Sequence, residues 1–444
     1  MKYILRNANI INEGKSFFAD ILLNDRIIER VDDNICLEGN YREINCEGLI
    51  LLPGLIDDQV HFREPGLTHK GDIFTESRAA IAGGITSFME MPNTNPQTVT
   101  LELLEEKYQL AKGRSFANYS FYAGATNDNL EELKKINPAT IPGVKVFMGS
   151  STGNMLVDND LVLESIFSQL PFLIAIHAED EAIIQRNMRT FKEKYYDNPP
   201  FNIHPKIRSE EACLACTSKA VNLAKKHQTR LHILHLTTSV ETELLAQLRA
   251  ENYKNITSEV CTQHLWFTDE DYETKRQFIK WNPAIKSERD RNALRKALKN
   301  GIIDVVATDH APHTLEEKSK SYYNCPSGGP MVQHSLLALL ELVKNGVFEL
   351  TDIPRWTAHN PAKCFGVKNR GFIREGYTGD IVLVDMNDST TVNNAETLYK
   401  CKWSPFDKFT FNSKIKYTFA NSNLVYDNGK IVDAAVGERL SFDA

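Results

Sequence analysis

The stretch LLPGLIDDQVHFREPG, residues 51–66, begins as an apolar run and continues as a short strand that ends in polar side chains. Side chains alternate along a strand, so Asp57, Gln59 and His61 share one face, and Arg63 joins them if the strand continues. A carboxylate, an amide, an imidazole and a guanidinium on one face are typical of a binding site, although a strand can also simply end in polar residues. We predict a binding site here because four later strands end in similar residues.

The composition is that of an ordinary globular protein, with 42% hydrophobic and 25% charged residues in a chain of 444. The formal net charge is −7 and no block of basic residues occurs, so neither nucleic acid nor an anionic membrane is an expected partner. No apolar run approaches the roughly 18 residues that span a bilayer, and the first residues do not resemble a signal peptide. We therefore expect a cytoplasmic protein with a small-molecule substrate.

The two ends of the chain are rich in short strands. Residues 1–50 read as strands separated by turns, and the Asp-Asn-Gly sequence at 427–429 is a strong hairpin signal between two strands near the other end. These ends flank a middle of different character. We predict one small β domain built from residues 1–50 and 366–444, beside a larger domain formed by residues 51–365.

The middle of the chain alternates strands with helices, and its helical segments include residues 100–113, 210–226 and 239–252. Eight β-α units over about 300 residues predict a (β/α)₈ barrel of the TIM type. The main alternative is a doubly wound open sheet, but no GxGxxG motif opens a first helix. After the opening strand, the predicted strands are 85–91, 118–125, 143–149, 171–178, 230–236, 256–262 and 303–310.

Residues of the kind that bind metals gather at the predicted strand ends. In a barrel, the C-terminal ends of the strands meet around the active site. A lone histidine at such an end is usually a core or loop residue, but several at the same end of different strands are hard to explain in that way. Imidazole and carboxylate are natural ligands for zinc and similar divalent ions, so we predict a metal site. The residues at these ends are Gln59, His61, Asn93, His177, His235, Asp309 and His313.

Lys145 lies within an apolar strand, between Val144 and Val146. Such a lysine either extends its charge to solvent or is desolvated, and desolvation lowers its pKa. A neutral amine inside a barrel can react with carbon dioxide to give a carbamate. The product would be an anionic metal ligand in place of a cation that repels the metal.

Eight motifs link the sequence to a known family: PGLIDDQVHFREPG (53–66), GGITSFMEMPNTNP (83–96), GVKVFMG (143–149), IHAED (176–180), HILHLTT (232–238), WNPAIK (281–286), ATDHAPH (307–313) and HNPAKCFG (359–366). In these motifs the chain resembles the dihydroorotases of the amidohydrolase superfamily over essentially its whole length. The REPG and MPNTNP segments are specific to dihydroorotases, whereas the other motifs are shared with hydantoinases and allantoinases.

The resemblance implies roles for individual residues. His177 and His235 would bind one metal ion. His61 and Asp309 would bind the other, and a carboxylated Lys145 would bridge the two. Asp309 would also be the catalytic general base and then general acid when metal-activated water hydrolyses a cyclic amide. The residues implied in substrate binding are Arg63, Asn93 and His313 for a carboxylate, and Asn282 with the backbone around Ser327 and Gly328 for a ring.

The sequence departs from the family at one position. The first strand ends in Gln59-Val60-His61, where the family has a histidine at both ends of the motif. An amide oxygen is a weaker, neutral ligand for zinc, so Gln59 is a doubtful metal ligand. We therefore expect one or two zinc ions per chain, with the ion on His61 and Asp309 weak, absent or differently coordinated.

The activity implied is the reversible cyclisation of N-carbamoyl-L-aspartate to dihydroorotate in pyrimidine biosynthesis. Arg63 favours this substrate because a guanidinium can bind both oxygens of a carboxylate. One alternative is another cyclic amidohydrolase, of the allantoinase, hydantoinase or dihydropyrimidinase type. A second alternative is a non-catalytic scaffold for aspartate transcarbamoylase, against which the retained metal ligands argue. A homodimer and an association with aspartate transcarbamoylase stay open.

A few residues of metal-binding type fall outside this scheme. Cys213 and Cys216 form a CxxC pair within a helical segment, and no second pair with zinc spacing follows, so we predict buried, reduced thiols. His264 follows the seventh strand without an evident partner. The orientation of His232 on the sixth strand stays undecided.

Overall fold

The computed structural model describes residues 1–149, 155–432 and 435–443. Its strands, in chain order, are β1 (Tyr3–Asn12), β2 (Lys15–Asn24), β3 (Ile27–Asp32), β4 (Arg42–Asn45), β5 (Leu49–Pro53), β6 (Leu55–Val60), β7 (Ile85–Glu90), β8 (Asn118–Phe121), β9 (Ala123–Gly124), β10 (Val144–Phe147), β11 (Ile174–His177), β12 (Leu231–Ile233), β13 (Ile256–Cys261), β14 (Val305–Ala307), β15 (Ile381–Asp385), β16 (Thr390–Thr391), β17 (Thr410–Phe411), β18 (Lys414–Ala420), β19 (Asn423–Asp427) and β20 (Lys430–Ile431).

One sheet contains strands from both ends of the chain. Its order is β20-β19-β18-β15-β5-β1-β2-β3, and β4 pairs with β1. The hairpin between β19 and β20 turns at Asn428 and Gly429, which both have positive φ angles as predicted for this turn. Before this hairpin the sequence predicts one strand, but the structure has two, β18 and β19. They are separated because Asn421 and Ser422 also adopt positive φ angles and make a second turn. The domain boundaries themselves stay a prediction.

Eight parallel strand positions in the described part of the chain form the barrel, from β6 to β14, with β8 and β9 counted as one position interrupted at Tyr122. One sheet runs β6-β7-β8 and the other runs β9 through β14 in order. The two sheets join where Val60 bridges His310, and the His61 amide donates to the His310 carbonyl at 2.7 Å. The (β/α)₈ fold that the strand and helix pattern predicts is confirmed.

Helices follow the barrel strands, and several of them begin at a side chain that accepts a hydrogen bond from the backbone of the first turn. Such N-caps are Asp72, Thr100, Asp180, Ser209, Thr238 and Ser287. In the described ranges, no helix is both long and apolar enough to cross a membrane. The α-helices are α1 (Ile73–Ala82), α2 (Leu101–Ala111), α3 (Leu130–Leu133), α4 (Asp160–Gln169), α5 (Glu181–Tyr195), α6 (His204–Ile207), α7 (Glu210–His227), α8 (Ser239–Ala250), α9 (Thr262–Trp266), α10 (Tyr272–Lys275), α11 (Glu288–Lys299), α12 (Leu315–Lys318), α13 (Ser335–Lys344) and α14 (Asn360–Phe365).

Helix α14 closes the N-terminal end of the barrel. Its Phe365 ring lies 5.0 Å from the ring of His232 and 6.3 Å from that of Tyr122, measured between centroids. The same apolar cluster includes Ile56 and Ala175, which are buried inside the barrel. Because this end is filled, a binding pocket can open only at the C-terminal ends of the strands.

Candidate active site

A pocket opens at the C-terminal ends of the barrel strands and encloses about 600 Å³ of empty space, part of it open to solvent. The residues predicted to bind metal or substrate or to act in catalysis all line this one pocket, whereas Asp57, predicted on the same strand face as Gln59, does not. Three further residues, which sequence reasoning missed, complete the lining. The predicted residues are Gln59, His61, Arg63, Asn93, Lys145, His177, His235, Asn282, Asp309, His313, Ser327 and Gly328, and the missed ones are Phe147, Trp281 and Ala311.

His177 and His235 face each other across the pocket floor. His177 Nδ1 lies 2.9 Å from His235 Nε2, and the other ring nitrogen of His177 lies 3.0 Å from Glu179 Oε2. Arg208 holds that carboxylate at 2.7 Å. A proton on His177 Nε2 therefore donates to Glu179 and leaves the Nδ1 lone pair facing His235. Burial lowers the pKa of both histidines, which keeps them in the neutral form that binds metals.

His61 and Asp309 form a second pair on the opposite side of the pocket. His61 Nδ1 lies 2.8 Å from Asn93 Oδ1, so it carries the ring proton, and Nε2 lies 3.2 Å from Asp309 Oδ1. Gln59 Nε2 donates to the same Asp309 oxygen at 3.3 Å, while its Oε1 accepts a long contact of 3.9 Å from Cys261 Sγ. The amide of Gln59 thus presents its donor, not its oxygen, to this pair.

Lys145 lies between the two pairs, on β10. Burial lowers the pKa of its amine to about 7, against the opposing attraction of Glu259 and Asp309. Its Nζ lies 4.7 Å above the centre of the Phe147 ring. A large fraction of the amine is therefore neutral near pH 7, which is the state that reacts with carbon dioxide.

Arg63 lies on the pocket wall with its backbone bent to a φ of 75°. Its Nε donates to the Pro312 carbonyl at 3.1 Å, and one Nη lies 3.1 Å from His313 Nε2. His313 Nε2 also lies 3.0 Å from the Ser327 carbonyl. Burial lowers the pKa of Arg63 to about 10, which still leaves it charged near neutral pH. A buried cation with this fork geometry suits an anionic substrate group.

The sequence profile of the amidohydrolase family matches residues 50–432. The chain belongs to the amidohydrolase family. The dihydroorotase of Pyrococcus abyssi is 32% identical over 430 residues, which cover 94% of this chain and 96% of its own. The dihydroorotase of Methanosarcina acetivorans is 31% identical over 417 residues, with coverages of 91% and 87%. Among solved structures, L-hydantoinase (dihydropyrimidinase) from Arthrobacter aurescens superposes with a TM-score of 0.94 at 27% identity, covering 99% of both chains. These matches confirm the predicted family and its barrel fold.

Amidohydrolases depend on metal ions, and the side chains of this pocket are of the types that bind a divalent metal ion. Two pairs of ligand atoms lie within 2.9 and 3.2 Å in one pocket, those of His177 with His235 and of His61 with Asp309, and imidazole and carboxylate are preferred ligands of divalent metal ions.

Asp57 does not line the pocket of this amidohydrolase, contrary to the prediction that it shares a face with Gln59 and His61. Strand β6 ends at Val60, and its pairing with β7 shifts register between Asp57 and Val60. Asp57 instead accepts from the Thr308 hydroxyl at 2.6 Å. The irregular strand end, which alternation along a regular strand cannot predict, therefore separates these side chains.

His232, whose orientation the sequence left open, lies inside the barrel with two acidic residues. The ligand atoms of Asp58, His232 and Glu259 all lie within 4.8 Å of one another, and in the described residues they are the one group of three such side chains this close. His264 instead contacts the Pro283 carbonyl at 3.2 Å through Nε2. The predicted buried, unpaired thiols of Cys213 and Cys216 are confirmed.

Proposed function

We propose that this amidohydrolase is a dihydroorotase, which interconverts N-carbamoyl-L-aspartate and dihydroorotate in pyrimidine biosynthesis. The observation that carries the proposal is the position of Arg63 on the wall of the pocket that also holds both pairs of metal-binding side chains. Dihydroorotate has a carboxylate on the ring that is cleaved, so its enzyme needs a cation in the same pocket as the metal-binding side chains. The curated relatives named dihydroorotase support the same substrate.

The metal in this proposal is zinc, because two imidazoles with oxygen ligands suit that ion. His177 and His235 would hold one ion, His61 and Asp309 a second, and carboxylated Lys145 both. When bound, zinc would supply an activated water molecule and polarise the ring carbonyl.

The residues of the chain then handle the proton. Asp309 takes it at the carboxylate and returns it to the leaving ring nitrogen, as general base and then general acid. Gln59 Nε2 donates to Asp309 Oδ1 at 3.3 Å and holds the carboxylate in place for both transfers. In this role Gln59 orients Asp309 rather than binding metal.

The substrate is held from two sides. Arg63, Asn93 and His313 bind the carboxylate in this proposal. On the other side, Asn282 Oδ1 is buried without a hydrogen-bond partner, so it can accept from a ring N–H. Gly328 approaches closely as well, since a Cβ there would lie 2.6 Å from the Ala311 carbonyl and 3.3 Å from His313 Nε2. At position 328, therefore, only backbone atoms are available to contact the ring.

Hydantoinase or dihydropyrimidinase activity is the second candidate, because the solved relative from Arthrobacter aurescens has that name. The substrates of such enzymes lack a ring carboxylate, so the buried charge of Arg63 would have no anionic partner from the substrate. The cost is about 1–3 kcal/mol or more for a buried charge. A non-catalytic scaffold would have no need of both pairs of ligand residues. The cytoplasmic location, a homodimer and an association with aspartate transcarbamoylase stay predictions.

The test is turnover by the purified, zinc-loaded protein of dihydroorotate, hydantoin and dihydrouracil under identical conditions. We expect kcat/KM for dihydroorotate to exceed the other two by at least 100-fold, on the order of one lost charged contact. Equal or higher kcat/KM for a ring without a carboxylate would move the assignment to the second candidate. No turnover of any of the three by metal-loaded protein would favour the scaffold.

A further inference from the structure

Asp58, His232 and Glu259 lie in the barrel interior, beneath the pocket and above helix α14. His232 precedes the pocket residue His235 by three positions, and on the other side its ring contacts Phe365. All three side chains are 0% exposed. The group is therefore a separate cluster, one layer deeper than the residues that line the pocket.

The carboxylate of Asp58 has no hydrogen-bond partner on either oxygen. The Tyr122 hydroxyl donates to the Asp58 backbone carbonyl at 3.0 Å and not to the side chain. A buried, ionised carboxylate without donors is costly, so native structures pair such groups or bind them to a cation. The Asp58 oxygens are directed at His232, whose Nε2 lies 3.3 Å from Oδ2.

The hydrogen bond at Nδ1 of His232 directs Nε2 toward the carboxylates of Asp58 and Glu259. Its Nδ1 lies 2.8 Å from Thr257 Oγ1, and that hydroxyl donates its own proton to the Leu231 carbonyl at 3.3 Å. The hydroxyl oxygen therefore accepts from Nδ1, which places the ring proton there in the neutral imidazole. Nε2 then faces the two carboxylates, which raise the pKa of the ring to about 9 against the effect of burial, so a metal ion bound here would replace a proton on Nε2.

Two distances in the cluster match those between ligands of one tetrahedral ion, and the third lies within 4.8 Å. His232 Nε2 lies 3.3 Å from Asp58 Oδ2 and 3.4 Å from Glu259 Oε2. Bonds of about 2.0–2.1 Å to a tetrahedral zinc ion separate its ligands by roughly 3.3–3.4 Å. We propose that Asp58, His232 and Glu259 bind a divalent transition-metal cation, such as Zn²⁺, at a structural site distinct from the pocket.

This cation would stabilise the floor of the pocket. The second oxygen of Glu259, Oε1, accepts from the His235 backbone amide at 3.1 Å. His235 has a φ of 40°, an uncommon conformation for a residue other than glycine. An ion that holds Glu259 Oε2 therefore also holds the carboxylate that fixes His235. The inference does not rest on the proposed activity.

The test is crystallographic and locates each ion directly. The purified protein, stripped by a chelator and crystallised with three equivalents of Zn²⁺, is measured at the zinc absorption edge. We expect an anomalous peak between Asp58, His232 and Glu259, separate from any peak beside His177 and His235. No peak within the cluster, with peaks present in the pocket, overturns the proposal.

Two variants assign the ligands. In Asp58→Asn we expect the deep peak to fall at least tenfold in occupancy while the peak beside His177 remains. The control, Glu241→Gln, removes another buried carboxylate, one bound to the Thr217 and Thr238 hydroxyls, and keeps both peaks. A deep peak unchanged in Asp58→Asn also overturns the proposal. If Asp58→Asn does not fold, the wild-type map decides. The anomalous map tests the deep site independently of whether the protein turns over dihydroorotate.

Discussion

Three pocket residues other than glycine have positive φ angles, which are uncommon outside glycine. The values are 75° for Arg63, 40° for His235 and 45° for Asp309. Such conformations cost on the order of 1–3 kcal/mol each and persist where the surroundings hold them. Here buried carboxylates accept from the strained amides, Glu90 from Arg63 at 3.0 Å and Glu259 from His235 at 3.1 Å. The strain directs these side chains into the pocket.

At Arg63, the substitution Arg63→Lys keeps the charge but loses the fork that binds two oxygens. We expect KM for dihydroorotate to rise about 10- to 100-fold, since one charge-assisted hydrogen bond contributes about 1.5–3 kcal/mol. Steady-state kinetics and zinc content measure this, and zinc content should not change. Arg186→Lys, at an exposed ion pair with Glu211, is the matched control. An unchanged KM in Arg63→Lys would contradict the assigned role.

At Gln59, we expect two unequal zinc sites, because one imidazole is missing from the His61 and Asp309 pair. Titration of chelator-stripped protein with zinc should show one tight and one weaker class. In Gln59→His the zinc affinity of the weaker class should rise by at least about tenfold, because the substitution adds an imidazole ligand; changes at residues that support the ligands alter affinity by about 10–100-fold. Gln109→His, on the exposed face of α2, should leave both classes unchanged. Two equal tight sites in the wild type would refute this expectation.

At Lys145, we expect a carbamate. Burial lowers the pKa of the amine to about 7, so its neutral, reactive fraction rises as the pH increases from 6 to 8. Zinc reconstitution in ¹³C-bicarbonate should produce a carbamate carbon signal in NMR spectra at pH 8, and a slower build-up at pH 6. The signal should be absent from Lys145→Ala. Full zinc loading of the wild type without any such signal would exclude the bridge.

At the scale of elements, the turns that follow the strands hold the metal-binding side chains in place. The turn after β11 carries Glu179, which contacts His177 Nε2 at 3.0 Å and pairs with Arg208 from the segment before α7. Gly149, at the end of the neighbouring strand, allows this turn to approach, since a Cβ there would lie 1.8 Å from the Glu179 carbonyl. Residues that follow β10 and β11 thus hold the ring of His177 in its orientation.

Glu179→Gln tests this support. The amide keeps the shape but weakens the acceptor for His177, so zinc affinity should fall about 10- to 100-fold with the fold intact. Competition with a chromophoric chelator measures the affinity, and circular dichroism monitors the fold. Glu193→Gln, at an exposed position of α5, should have no effect on either. An unchanged affinity in Glu179→Gln would show that the hydrogen bond does not tune the metal site.

At the scale of the whole molecule, the segment after β15 covers the start of helix α13. Tyr399 OH accepts from the Gln333 amide at 2.9 Å and therefore donates to His334 Nδ1, 3.2 Å away. Ser404 Oγ lies at the same distance from that nitrogen. Burial lowers the pKa of His334 to about 3, because the charged ring would be removed from solvent. Neutral His334 therefore links the start of α13 to the segment after β15.

This histidine makes stability depend on pH. Its pKa in the folded protein, about 3, lies below the value of about 6.5 in the unfolded chain, so stability is lost as pH falls through 6.5. Between pH 7.5 and 5.5 the wild type should lose about 1.3 kcal/mol more than His334→Gln. Urea unfolding at both pH values measures the difference. His69→Gln, at an exposed histidine, should behave as the wild type, and equal losses in His334→Gln would disprove the effect.

The sequence by itself determined the barrel and most of the residues that line its pocket, all but Phe147, Trp281 and Ala311. Strand and helix periodicity is local, and parallel strands separated by helices bring their C-terminal ends together wherever each lies in the chain. Gln59, His177, His235 and Asp309 therefore line one pocket although they lie far apart in sequence. Their roles as ligands and bases rest on the family resemblance and on the tests above.

Only the tertiary structure decided which atoms face each other. The register shift after Asp57, the donor that Gln59 presents to Asp309, and the group of Asp58, His232 and Glu259 depend on how strands from distant parts of the chain align. Residue spacing along one strand carries no information on that alignment. Burial, which follows from the same alignment, sets the charge of the enclosed groups, because the free energy of a charge depends on all the atoms around it.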